Sequence, residues 1–210
     1  MAVRRAAIIG AVAVVAAVVL FVPLMRVEEA RTLAERARLM SVLPAWYVRL
    51  VYPLEYSSEI GAAARRNGLN PALVAAVVYK ESGFDAATTS PQGAVGLMQV
   101  LPSTAEEIAR QSGGKEYVLR DLQRPGVNVL YGSYYLRRLL DRYGGSELEA
   151  IAAYNAGQTN VDRWADAARQ AGRPFDARVI PYGETRDFVA EVERLRAIYD
   201  RIYGDRLAAR

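Results

Sequence analysis

The 210-residue sequence contains no cysteine and no histidine, and these two absences remove whole classes of chemistry. There can be no thiol nucleophile, no Ser-His-Asp triad, no disulfide and none of the usual zinc ligand sets. A lipid-modified cysteine anchor is excluded as well. Any catalysis must come from carboxylates, hydroxyls, Tyr, Lys, Arg or a bound cofactor. The lack of Cys does not fix a redox compartment, because a domain of this size needs no disulfide staples. A strong charge bias is also missing. The net charge of +4 suits an anionic partner, such as a cell-wall polymer, a lipid surface or nucleic acid, but only weakly. The arginines are scattered and form no basic stripe, so no nucleic-acid partner is expected. Sustained period-two alternation, internal repeats and low-complexity tracts are absent, which leaves a mainly α fold.

What the sequence does have is one long uncharged run. After Arg4 and Arg5, the twenty positions from Ala6 to Met25 are dominated by Val, Ala, Ile and Leu. At about 1.5 Å per residue, such a run spans a hydrocarbon core of about 30 Å. It is apolar on every face, unlike the one-sided helix of a soluble domain. It ends Val22, Pro23, Leu24, Met25, Arg26, with no small residue where a signal peptidase would cut, so the expectation is an uncleaved signal anchor over residues 1–26. The paired arginines before the run, against mixed charges after it, place the N-terminus in the cytoplasm and the rest of this single-pass chain outside.

Residues 27–51 read as a helical stalk, with Pro44 and Pro53 breaking the chain around Trp46, Tyr47 and Tyr52. A compact domain follows over 52–204, with a short tail over 205–210. Asn70 and Pro71 form a cap and first-turn pair, and the helix they open carries Val74, Val77 and Val78 to a stop at Gly83. Ser103 and Glu106 are spaced as a capping box for a helix to about Gln111, and Ser146 and Glu149 as another for a helix ending near Gly157. Leu136, Leu139, Leu140 and Tyr143 make one apolar stripe before Gly144 and Gly145. Val161, Trp164, Ala165 and Ala168 share a face. Phe188, Val192, Leu195, Tyr199 and Ile202 form the longest stripe, expected to close at Gly204.

The stripe Val74, Val77, Val78 continues to Glu81 and puts a carboxylate on a face that should be buried. Desolvation raises a carboxyl pKa, and an acid raised toward neutrality can still donate its proton there. Glu81 is therefore a candidate general acid, although a structural ion pair or a swing to solvent in the last turn is equally compatible with the pattern. Asp85, beyond Gly83, reads as a turn residue.

Five ordered segments carry a resemblance: Glu81-Ser82, Ser90, GAVGLMQVLPSTA, AAYNAG from Ala152 to Gly157, and IPYGETRDFV from Ile180 to Val189. In that order they resemble the soluble-lytic-transglycosylase (SLT) catalytic domain, glycoside hydrolase family 23, over about Tyr52 to Tyr199. The resemblance implies a lysozyme-like, mainly helical fold shared with goose-type lysozyme. It implies cleavage of the β-1,4 bond between N-acetylmuramic acid and N-acetylglucosamine in peptidoglycan glycan strands, with no cofactor and no metal. Glu81 matches the acid that protonates the leaving oxygen and then, as carboxylate, takes the proton of the muramoyl 6-hydroxyl. The product is then a 1,6-anhydro end. Ser90, Met98, Gln99, Tyr154, Asn155 and Tyr182 match substrate-side positions, with Met98 and Gln99 facing saccharide. Met98 reads equally as core filling, and Tyr154 also reads as a buried aromatic with a satisfied hydroxyl. Glu184 and Arg186 read as a structural ion pair. The chain departs from many relatives in carrying Asp85 and Ala86 where they have Asn-Pro. A hydrolytic muramidase and a non-enzymatic wall-binding scaffold are the alternatives. The sequence names no protein partner.

Overall fold

A computed structural model describes residues 43–111 and 119–208. The expected membrane anchor and most of the expected stalk lie outside the described residues. No helix among the described residues is long and apolar enough to cross a membrane. The chain divides between Pro53 and Leu54 into two compact units. The first contributes one described helix, α1 (Ala45–Val51), in which Trp46 and Tyr47 meet edge to face.

The second unit is helical, as the absence of alternation implied. Its helices are α2 (Ser57–Arg66), α3 (Pro71–Ser82), α4 (Pro102–Gln111), α5 (Pro125–Arg142), α6 (Glu147–Ala156), α7 (Gln158–Gln170) and α8 (Gly183–Ala208). Short 3-10 turns lie at Leu119–Gln123 and Ala177–Val179. Helix α3 packs along α8, while α5 packs on α2 and α6. The fold is mainly α and lysozyme-like, with no strand named among the described residues.

Local chemistry sets most helix ends. Asn70 Oδ1 accepts from Ala72 N at 2.7 Å, Pro71 occupies the first turn, and Gly83 ends α3 in the left-handed region at φ 59°. Ser146 Oγ accepts from Glu149 N and caps α6. Two expected boundaries differ. Ser103 is not a cap: Ala105 N donates to Leu101 O at 3.0 Å, so the helix starts a step earlier, at Pro102, whose fixed φ and missing N–H suit a first helical position. Helix α8 does not close at Gly204 but runs on to Ala208. Tyr203 and Leu207 are buried on either side of the glycine, and burying them outweighs its helix cost of about 1 kcal/mol.

Helix α3 is the centre of the unit. Every residue from Ala72 to Val78 is buried, so the helix is enclosed on all sides and has no solvent face along that stretch. Its C-terminal turn is braced by Tyr79, Phe84 and Tyr199, whose ring centroids lie 6.0 to 6.2 Å apart. Arg196 of α8 pairs with Glu147 at the start of α6.

Helix α5 meets the 88–101 loop at a glycine. A Cβ on Gly132 would lie 2.6 Å from both Cβ and Sδ of Met98. Gly132→Ala is therefore expected to destabilise the fold by about 1–3 kcal/mol through overpacking. A denaturant titration with an unchanged midpoint would contradict this close approach.

Candidate active site

Glu81 sits in the last turn of α3, where the enclosed helix emerges. Burial pushes its carboxyl from 4.5 up to about 7, with the neighbouring Lys80 pulling weakly the other way. Among the described residues no other carboxylate contributes to this shift. No donor among them hydrogen-bonds the Glu81 carboxyl, so only the Lys80 charge offsets the desolvation. Asp85 is exposed, and its Oδ1 accepts from Ala87 N at 2.9 Å, closing a turn as expected.

The neighbouring Ser82 ties the helix end to the glycine-rich loop. Its Oγ lies 2.9 Å from Leu97 O and 3.1 Å from Val78 O, so its one proton bridges the two segments. The loop is a compact knot. Val95 and Val100 exchange N–H···O bonds at 3.0 Å, and Gly96 N donates to Thr88 O at 2.8 Å. Ser90 N donates to Ala94 O, while Ser90 Oγ accepts from Ala94 N at 3.1 Å. Gln99 has φ 46°, and its Nε2 donates to Gly96 O at 2.9 Å and Thr88 O at 3.2 Å. Its amide nitrogen therefore holds the loop, which leaves the amide oxygen as the group it can offer outward.

Asn128 of α5 organises this loop from beneath. Fully buried, it donates from Nδ2 to Val95 O (2.7 Å) and Leu122 O (2.8 Å), and it accepts at Oδ1 from Met98 N (2.8 Å). Gly96 makes room for it: at φ 77°, a Cβ there would lie 2.4 Å from Asn128 Nδ2.

Met98 does not face outward as the motif match implied. Its side chain is fully buried, with Sδ 3.9 Å from Ser133 Oγ, because the left-handed turn at Gln99 and the gap at Gly132 direct it under the loop. Its reach into the site is through its carbonyl, which accepts from Tyr154 Oη at 2.8 Å. Tyr154 also lies against Tyr135, with ring centroids 5.5 Å apart. Burial, then the negative charge of Glu81, then Tyr135 raise the Tyr154 hydroxyl well above its ordinary pKa. With its proton given to Met98, the Tyr154 oxygen acts only as an acceptor, an arrangement that favours the protonated form of a nearby Glu81.

Next in sequence, Asn155 accepts at Oδ1 from buried Thr185 Oγ1 at 2.8 Å, which leaves its Nδ2 directed elsewhere. Tyr182 is half exposed and stands edge-on to Trp164, with centroids 5.1 Å apart; no contact among the described residues ties it to Glu81. The expected Glu184–Arg186 pair does not form among the described residues. Arg186 instead donates to Ile180 O at 2.7 Å, satisfying the carbonyl that leads into α8.

The geometry thus links Glu81, Met98 and Tyr154 and places Ser90 and Gln99 on one loop, with Asn155 adjoining. In the sequence, Ser82 and Thr185 lie within motif segments that give them no role of their own, and Asn128 lies outside those segments. Asn128 and Thr185 each carry one visible signal there, a polar residue in register with a buried helical stripe.

The family model for the transglycosylase SLT domain matches residues 58–174. The soluble lytic murein transglycosylase of Salmonella typhimurium is 32% identical over 162 residues, covering 75% of this chain and 25% of that protein. Membrane-bound lytic murein transglycosylase C of Actinobacillus pleuropneumoniae is 26% identical over 166 residues, 69% of this chain and 46% of that protein. The 70 kDa soluble lytic transglycosylase of Escherichia coli superposes with a TM-score of 0.69 at 27% identity, covering 84% of this chain and 29% of that one. An inactive glutamate-to-glutamine mutant of the Pseudomonas aeruginosa lytic transglycosylase Slt gives a TM-score of 0.68, also at 27% identity, with 84% and 28% covered. The chain spans about a quarter of the length of the soluble relatives it matches. Over its helical unit, this chain belongs to the transglycosylase SLT domain family.

Proposed function

We propose that the chain is a membrane-anchored lytic transglycosylase that cuts the N-acetylmuramic acid to N-acetylglucosamine β-1,4 bond of peptidoglycan and leaves 1,6-anhydro ends. The observation that carries this reading is the solitary acid. Burial raises the Glu81 carboxyl to about 7, so a large share of it keeps its proton near neutral pH. Among the described residues no second carboxylate contributes to the shift, whereas conventional glycosidases work with a carboxylate pair. In the proposed reaction, Glu81 gives its proton to the glycosidic oxygen as the C1–O bond breaks. The muramoyl 6-hydroxyl oxygen then bonds to C1, and its proton passes to the Glu81 carboxylate, which restores the acid without consuming water. The names of the relatives, and the inactive glutamate-to-glutamine form of one of them, support this assignment.

Around Glu81, Tyr154 supports the protonated state, and Ser90, Gln99 and Asn155 offer hydrogen-bonding groups to the saccharide. The backbone of Met98 completes that wall. Tyr182, half exposed beside Trp164, offers an aromatic face farther along. The uncharged run Ala6–Met25 supports a single membrane-spanning anchor with residues 52–204 on the external side, a reading in keeping with the name of the membrane-bound relative.

The test is product analysis. Purified peptidoglycan digested by the detergent-solubilised chain is expected to release muropeptides with 1,6-anhydro ends, each lighter by one water than a hydrolysed product on mass spectrometry. Predominantly reducing, hydrated ends would replace this reading with that of a muramidase.

A further inference from the structure

Four large apolar side chains are exposed among the described residues: Trp46 (56%), Leu50 (66%), Leu101 and Tyr182. Tyr182 leans on Trp164, and Leu101 stands singly at the start of α4. Trp46 and Leu50 differ from these because they sit four residues apart on α1, about 40° apart around the helix, and so share one outward face. Arg49 borders that face, while Tyr47 and Val48 on the other side are buried. A seven-residue helix that buries Tyr and Val while turning Trp and Leu outward has its apolar character distributed for two environments.

We propose that the Trp46–Leu50 face of α1 rests in the headgroup layer of a phospholipid bilayer. The proposal rests on the anchor reading of Ala6–Met25, and three features of the chain support it. Tryptophan beside a basic residue is the composition that settles at a membrane interface, where the indole ring buries its apolar body and keeps its N–H hydrated. Only twenty residues separate Met25, the end of the uncharged run, from Trp46, at most about 30 Å if helical, so an anchored chain keeps α1 within reach of the bilayer surface. At that effective concentration, docking is an intramolecular step, and two side chains suffice where a free protein would need a larger patch. A second copy of the chain fits the face poorly, because a stable protein interface buries about 800 Å² per partner and two side chains fall well short of that.

The experiment uses the full chain carrying Trp164→Phe, which leaves Trp46 as its one tryptophan, reconstituted into phosphatidylethanolamine and phosphatidylglycerol vesicles. One set of vesicles carries bromine on the acyl chains near the headgroup. Vesicle co-flotation is read separately from fluorescence. The expected result is a blue-shifted Trp46 emission quenched at least about two-fold in the brominated vesicles, with Leu50→Glu reducing the quenching while flotation is unchanged. A chain that floats with the vesicles but shows water-like, unquenched Trp46 emission overturns the proposal and leaves the anchor intact. A chain that does not float removes the anchor reading and the proposal with it. Blue-shifted emission without lipid, in a chain that cross-links as a dimer, assigns the face to a second copy and also overturns the proposal. If Trp164→Phe fails to fold, the Trp46 signal is obtained by subtracting the emission of Trp46→Phe from that of the unsubstituted chain, with the same outcomes.

Discussion

Glu81→Gln is expected to abolish turnover and, above neutral pH, to make the protein more stable. General acid catalysis contributes about a hundred- to ten-thousand-fold, and the amide cannot supply the proton. The stability gain follows from the same burial. The Glu81 carboxyl titrates at about 7 in the folded chain against 4.5 ordinarily, so ionising it costs the native state about 3 kcal/mol more than it costs the unfolded chain. A group raised in this way leaves stability undiminished below the unfolded value. Stability then falls as pH climbs from about 4.5 to 7 and stays reduced above that. The Glu81→Gln variant, having no proton to lose there, carries no such loss. The melting temperatures of the two proteins should coincide near about pH 4 and separate by about pH 8, with the variant higher. The wild-type rate should fall about tenfold per pH unit above about 7, as the acid loses its proton. A variant that keeps full activity would place the acid elsewhere, and equal melting temperatures at about pH 8 would show that Glu81 is not desolvated.

Asn128→Ala is expected to be the most damaging single truncation outside the catalytic acid. The side chain satisfies three backbone groups at once, and its removal orphans Met98 N–H and Leu122 C=O in the interior while leaving Val95 C=O only the bond from Val100 N. At about 1–3 kcal/mol for each of the two unmet buried groups, the loss comes to about 2–6 kcal/mol, with the lower end applying if a water enters the gap. That is a large share of the about 5–15 kcal/mol that ordinarily holds a domain together. The near-isosteric Asn128→Asp is no rescue, because it replaces both N–H donors with an oxygen facing the Val95 and Leu122 carbonyls. Activity should fall further than stability alone explains, since the Met98 backbone that loses its N–H anchor is the one whose carbonyl holds Tyr154. A denaturant titration showing a loss under about 1 kcal/mol would contradict this role for Asn128.

Several parts of this fold were legible in the sequence because their causes are local. The Asn70-Pro71 start of α3, its stop at Gly83 and the Ser146 cap of α6 depend on residues within a turn of one another, so spacing alone reveals them. The buried faces of α5, α7 and α8 likewise follow from helical periodicity. The same local rules failed where neighbouring signals competed. Pro102 displaced the Ser103 cap, and the burial of Leu207 carried α8 past Gly204. Glu81 was found from a one-sided stripe, yet α3 is enclosed on every side. The acid is half-buried because it ends a central helix, which the stripe by itself did not reveal.

By itself, then, the sequence determined that the chemistry must do without thiol or imidazole, that the chain is helical, and that one carboxylate stands beside a glycine-rich motif. Tertiary structure alone decided which polar groups work and which support. Met98 turns inward beneath its loop, Gln99 spends its amide nitrogen on that loop, and Tyr154 gives its proton to a carbonyl 56 residues away in sequence. Asn128 reaches back 30 residues to Met98, and Thr185 the same distance to Asn155. A hydrogen bond across such separations leaves no periodicity in the sequence. It exists only once the packing of α3, α5 and α8 has excluded water and left each buried donor an acceptor within reach.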